Sequence, residues 1–210
     1  MYSIATITTA ASATRLTTVE RFKEETGITS NNNDGLLAKK IDEATSDIEA
    51  HLARTFCRET LTETFWGDSD WAERLVLARA PVVSITSITV DDVAVDASEV
   101  RLDAESGLLY RLDASGYPSF WTWCKSAVIV YVAGYLLPGE SGRNLPPAVE
   151  AGALSLVSSY WQSRGRDPMV KSESVPGVMD VQYWVGSVGE AGELPPDVIT
   201  KISPFRRVLA

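Results

Sequence analysis

LPPAVEAGALSLVSSYWQSR, residues 145–164, decides how the rest of this chain is read. Pro146 and Pro147 open a helix, because the first turn has no use for the N–H groups they lack. Val149, Ala153, Leu156, Val157 and Tyr160 then recur at i, i+4, i+7, i+8 and i+11, a single apolar stripe. Glu150 suits the positive end of the helix dipole, Arg164 and Arg166 suit the other end, and Gly165 is a C-cap candidate. Such a helix is stable only when its stripe meets another.

The partner lies upstream. From Gly35 to Phe56, residues Leu37, Ile41, Ala44, Ile48 and Leu52 fall on one face, with Lys39, Lys40, Asp42, Glu43, Asp47 and Glu49 mostly elsewhere. Two rods of about 20 residues, roughly 30 Å each, are predicted to pair. The polar turn Ser30-Asn31-Asn32-Asn33-Asp34 ends in an N-cap residue, Asp34. Ahead of it, Thr17 and Glu20 form a capping-box pattern for a short helix that stops at Gly27.

Between the rods the apolar period changes from 3.6 to 2. Residues 61–66, 75–78, 82–90, 93–95, 100–102, 108–112 and 127–133 read as short strands. Ser87 breaks one alternation, as a bulge would. Asp91-Asp92 and Glu105-Ser106-Gly107 are turn chemistry. Short turns between closely spaced strands imply an antiparallel sheet or small barrel. After the second rod, a glycine-rich excursion carries a Val181/Tyr183/Val185 alternation, and a stretch this long is usually functional or disordered. Leu194-Pro195-Pro196-Asp197-Val198 then repeats the earlier opening, and a short helix runs to Pro204.

The expected fold class is therefore α+β: a small α-helical bundle with an inserted antiparallel β-sheet module and a long extended C-terminal excursion. Its parts are an N-terminal arm (1–16), a helical core (17–57 and 145–164), the β module (58–137), an extended loop or hairpin (165–193), and a C-terminal helix and tail (194–210). The helix-pair core is expected to hold Leu37, Ile41, Ile48, Leu52, Val149, Leu156, Val157 and Tyr160.

Composition narrows the function. The 210 residues are 45% hydrophobic and 22% charged, ordinary for a soluble protein with a real core. A formal net charge of −9 argues against a nucleic-acid clamp, which needs a basic face. Two cysteines, Cys57 and Cys124, make no dense framework and point to a reducing compartment. Residues 1–14 lack the basic start and apolar core of a secretory signal. The longest apolar run, 127–137, is too short to span a bilayer, so no membrane partner is expected.

Catalytic chemistry is hard to assemble from these residues. The one histidine, His51, excludes a multi-histidine zinc site, and no phosphate-cradling glycine motif occurs. Asp91-Asp92, Asp68/Asp70 and Asp96/Glu99 could seat a cation, but solvated turns outweigh that reading. We expect no enzyme, no catalytic residue, no metal and no cofactor. A second reading is a carbohydrate- or ligand-binding β module on a phage or bacterial protein, with Trp121 and Trp123, beside Tyr117 and Phe120, as a stacking platform, but for these aromatics a core edge or protein contact outweighs the platform.

Four features in order suggest a family. They are the polar turn followed by Leu36-Leu37, Ile41, Ala44, Ile48-Glu49, Leu52, Arg54 and Phe56; the strand pair from Pro81 to Val90; Leu145-Pro146-Pro147-Ala148-Val149 leading to Tyr160-Trp161-Gln162-Ser163-Arg164; and Ser203-Pro204-Phe205-Arg206-Arg207. Together they resemble the head–tail connector (adaptor, head-completion) proteins of tailed bacteriophages. The resemblance implies a structural virion protein, assembled in the host cytoplasm, that forms a ring below the portal, extends the DNA channel and docks the next neck or tail protein. Its implied partners are the portal protein, neighbouring copies in a twelve-fold ring, neck and tail proteins, and double-stranded DNA that passes without specific binding. Within that reading, Phe205, Arg206, Arg207, Val208 and Leu209 are the expected portal contact. Val181, Tyr183 and Trp184 are the expected neighbour or tail-side contact.

Overall fold

The computed structural model describes residues 2–66, 71–123, 125–164, 172–175, 179–182 and 194–207. In chain order the elements are β1 (Tyr2–Thr9), α1 (Val19–Thr26), α2 (Asp34–Leu52), β2 (Glu59–Trp66), β3 (Trp71–Ala72), β4 (Arg74–Val76), β5 (Val82–Val90), β6 (Val93–Ala94), β7 (Val100–Asp103), β8 (Leu108–Leu112), β9 (Pro118–Ser119), β10 (Trp121–Thr122), β11 (Ala127–Ala133), α3 (Pro147–Ser163), β12 (Ser172–Val175), β13 (Met179–Gln182) and α4 (Pro196–Ile202). The fold is α+β, with antiparallel sheets throughout and two compact units, one built of strands and one that holds the four helices and the β12–β13 ribbon. One unit comprises residues 1–14 and 55–136, the other residues 15–54 and 137–210.

In the β unit, a five-stranded antiparallel sheet has the order β1-β2-β11-β5-β6. A second sheet runs β4-β8-β7, with β9 also on β8. Alternation decides which side is covered: along β11, Ala127, Ile129, Tyr131 and Ala133 are buried while Val128, Val130 and Val132 are only half-buried. Leu61, Phe65, Leu75, Leu77, Ile88, Leu109 and Trp121 join them in a core shared by both sheets. The break at Ser87 is a bulge: Val130 opposes Ser87 and Tyr131 opposes Ile85, leaving Thr86 unopposed. Asp91 and Asp92 both have positive φ, 48° and 68°, as the two-residue turn between Val90 and Val93 demands. Gly134 is required by close approach, since a Cβ there would run into the Cys57 carbonyl. Residues 1–16 hold β1, which is extended but fastened along β2 from Tyr2–Trp66 to Ile7–Leu61.

In the helical unit, α3 packs on both α2 and α4. Leu37, Ile41, Ile48, Leu52, Val149, Leu156 and Val157 are buried. Tyr160 is half-buried, because its phenol must reach Asp47, donating to Oδ2 at 2.6 Å. Three local expectations shift. Thr18, not Thr17, caps α1, accepting from the Arg21 amide at 3.2 Å. Thr17 is instead fully buried, and its hydroxyl has no hydrogen-bond partner among the described residues. Asn33 precedes α2, and Asp34 is its first residue, paired at 3.0 Å with Lys23. α2 stops at Leu52, where Ala53 turns left-handed at φ 49°, four residues short of Phe56. Gly165, the expected cap of α3, lies outside the described residues; Arg164 occupies the capping position.

Candidate functional site

The C-terminal segment is built onto the helical unit by shape. α4 lays Val198 and Ile202 against α3, where Gly152 leaves the space: a Cβ at Gly152 would stand 2.6 Å from Ile202 Cγ2. Lys201 Nζ donates to Ser155 Oγ at 2.5 Å. Beyond α4 the chain crosses the end of α2. The Arg207 amide donates to the Leu52 carbonyl at 3.1 Å, and Arg54 Nη1 donates to the Phe205 carbonyl at 3.3 Å. The first of these satisfies one of the four carbonyls that a helix end leaves open. The segment is therefore held by its backbone while its side chains vary in exposure. Arg206 is exposed, Phe205 and Arg207 are half-buried, and Val208 and Leu209 lie outside the described residues.

The excursion contains two short strands. β12 and β13 pair antiparallel from Ser172–Gln182 to Val175–Met179 and pair with no other described strand. Val181 is on β13; Tyr183 and Trp184 lie outside the described residues.

The aromatic group splits between core and surface. Trp121 and Trp123 are core residues, 1% and 4% exposed, and the Trp121 indole N–H donates to the Leu109 carbonyl at 3.0 Å. They cannot serve as a stacking platform, because two-residue strand β10 turns them inward over the second sheet. Tyr117, Phe120 and Trp71 are the exposed members, and Trp71 meets Phe120 edge to face at 5.1 Å. Trp71 carried no signal in the sequence beyond its residue type.

The candidate cation carboxylates are engaged locally. Asp91 Oδ1 accepts from the Lys125 and Ser126 amides at 2.7 and 3.1 Å, and Asp92 pairs with Lys125 Nζ at 3.0 Å, which raises the lysine pKa. Asp96 accepts from the Ser98 hydroxyl and amide, and those bonds lower its pKa. Glu99 pairs with Arg111 at 2.5 Å. Asp68 and Asp70 lie outside the described residues. Among the described residues, no three His, Cys, Asp or Glu side chains are grouped to hold a metal ion, and no helix is long and apolar enough to cross a membrane. A groove of the helical unit, about 560 Å³, is lined in part by Arg21, Ser155, Ser158, Gln162, Asp197 and Lys201. It gathers hydrogen-bonding groups of both charges rather than a nucleophile with its base, a surface suited to contact.

No protein-family model matches the chain, and no curated protein matches it in sequence. Solved structures do match in fold. A chain from the neck of an empty gene transfer agent (GTA) particle, computed with C6 symmetry, superposes with TM-score 0.60 at 18% identity, covering 99% of this chain and 97% of that one. A chain from the neck of a native GTA particle, computed with C12 symmetry, gives 0.59 at 17%, again with 99% and 97% covered. A chain from the virion of a native GTA particle gives 0.60 at 16% with the same coverage. The likeness runs from end to end and includes both units.

Proposed function

We propose that this chain is a structural neck protein of a tailed-phage-like particle: a head–tail connector that forms a ring below the portal, extends the DNA channel and docks the next neck or tail protein. The observation that carries the reading is a fold shared over 99% of this chain with chains of GTA particle necks. The C6 and C12 symmetries of those necks agree with a twelve-fold ring of neighbouring copies. The net charge of −9 supports a channel wall that repels phosphates, so DNA slides without specific binding. The role is mechanical and non-enzymatic, within the neck of a virion assembled in the host cytoplasm.

In this reading the portal contact is made by Phe205, Arg206, Arg207, Val208 and Leu209. Exposed Arg206 next to half-buried Phe205 combines a charged fork with an apolar anchor. Val181, Tyr183 and Trp184 face a neighbouring copy or the tail side. Imaging of particles made with and without this protein tests the main claim: a ring of density under the portal, present only with the protein, is expected, and its absence removes the reading. Pull-down on portal rings tests the tail. Removing residues 203–210 should abolish binding, and Arg206→Glu, which leaves the Arg207–Leu52 hydrogen bond in place, should weaken it strongly. Undiminished binding by both variants removes the tail assignment.

A further inference from the structure

The two ends of the five-stranded sheet are unlike. One edge is β6, two residues long, which offers almost nothing to pair with. The other is β1, eight residues long, with sequence YSIATITT. It carries no charge and no proline, and seven of its eight residues are exposed, including Tyr2 at 60% and Ile4 at 59%. Natural edge strands are blunted by charge, proline or shortness, because an open row of N–H and C=O groups recruits another strand. β1 has none of these protections, and among the described strands it pairs only with β2, with Ala5 packed against the core.

The hairpin β12–β13 has the complementary deficit. Its four residue pairs form a sheet of two strands that pairs with no third strand among the described residues. A two-stranded ribbon of that size is marginal in water until a third strand or a packed face supports it. One copy of the chain thus holds an acceptor edge and a donor ribbon.

We propose that β1 of one copy pairs edge to edge with β13 of its neighbour, so that each subunit's hairpin extends the next subunit's sheet. The inference rests on the ring reading and names the contact that would close the ring. A ring is built from heterologous contacts, in which donor and acceptor surfaces differ. Pairing β1 with β1 would be isologous and would stop at a dimer. β13 is favoured over β12 because its sequence MDVQ has apolar residues two apart, Met179 and Val181, the same spacing as Tyr2 and Ile4 in β1, whereas β12 has one apolar residue, Val175. β1 has no charge to oppose Glu173 or Asp180 of the hairpin.

Two preparations of the full chain test this. One carries Tyr2→Cys, Ile4→Cys or Thr6→Cys, the other Met179→Cys or Val181→Cys. They are mixed, concentrated and oxidised, and disulfide-linked peptides are identified by mass spectrometry. Cross-strand Cβ atoms lie about 5 Å apart, within reach of a disulfide after slight adjustment. At least one heterotypic link is expected, absent when Val83→Cys replaces the β1 variant. Sedimentation velocity gives the second readout: Ile4→Lys should raise the concentration needed for assembly roughly tenfold, and Val83→Lys should leave it unchanged. Wild-type oligomers that form without a heterotypic link, and that Ile4→Lys does not weaken, overturn the pairing and leave the ring reading standing. A predominance of links between two β1 strands also overturns it. A chain that neither assembles nor cross-links at any concentration overturns both.

Discussion

Glu150 in the helical unit and Glu63 in the β unit are buried by opposite means. In the helical unit, Glu150 is 7% exposed, sits in the first turn of α3 and meets the Arg143 guanidinium through both oxygens at 3.1 and 2.9 Å. A full charge and the positive helix end answer the carboxylate. In the β unit, Glu63 is fully buried in the middle of β2, and its Oε2 accepts from the Tyr131 hydroxyl and the Ala78 amide, both at 2.8 Å. Neutral donors alone hold it. The helical acid sits at the rim of its core and is half answered by water-facing charge; the β acid is a strut between β2, β11 and the chain that follows β4. Removing the first should loosen one surface, and removing the second should unsettle a core.

The largest effect expected in the β unit comes from Trp121→Ala. Losing a large buried aromatic costs about 4 kcal/mol, and the Leu109 carbonyl loses its donor. Chemical denaturation should show that loss directly. A near-silent substitution would return Trp121 to the surface and revive the stacking-platform reading. Next comes Glu63→Ala, which takes the acceptor from two buried donors and should cost about 3 kcal/mol, against about 1 kcal/mol for Glu63→Gln. Glu150→Ala should cost less than Glu63→Ala in the same assay, because Arg143 is 54% exposed and rehydrates. Equal costs would erase the contrast between the units.

That contrast also explains what the sequence could and could not disclose. The rods are legible because the inward positions of α2, Thr45 apart, and the stripe of α3 are apolar, with charges confined to caps and outer faces. Strands 82–90, 108–112 and 127–133 were legible for the same reason. β2 was read two residues short because its inward row is Glu59, Leu61, Glu63, Phe65, in which acids stand where alternation expects hydrocarbon. β1 was read as an arm because both its faces are exposed, so it has no periodic burial to report; only backbone pairing makes it a strand. The inward turn of Trp121 and the outward turn of Phe120 differ by one residue, and a two-residue strand is too short for a period to show.

The C-terminal helix sharpens the comparison from the helical side, since α4 is held by fit and not by charge. Gly152→Leu places a branched side chain where Ile202 now rests. Leucine favours a helix more than glycine by about 1 kcal/mol, but overpacking costs about 1–3 kcal/mol, so a net loss of about 1 kcal/mol is expected. Hydrogen exchange should localise it, with faster exchange over 196–207 and little change in the β unit. Uniform protection would mean that α4 docks by other contacts.

The smallest effect should be found at Tyr160, and its sign is fixed by pH. Partial burial first, then the hydrogen bond to Asp47 and the nearby acids, push the phenol pKa well above its ordinary value. A group whose pKa is raised by folding contributes stability that is complete below its unfolded pKa, about 10, and is lost as pH climbs beyond that toward the folded value. Tyr160→Phe removes this dependence. At neutral pH it should cost no more than about 1 kcal/mol, the worth of one partly hydrated hydrogen bond to a carboxylate. Above pH of about 10 the gap between wild type and variant should narrow, because the unfolded wild type ionises its phenol there while the folded phenol beside Asp47 keeps its proton, and the variant has nothing to ionise. A gap that widened instead would mean the phenolate is stabilised in the folded chain, and that α2 and α3 meet there through a cation such as Lys40, whose ammonium lies 5.8 Å from the Tyr160 ring centre.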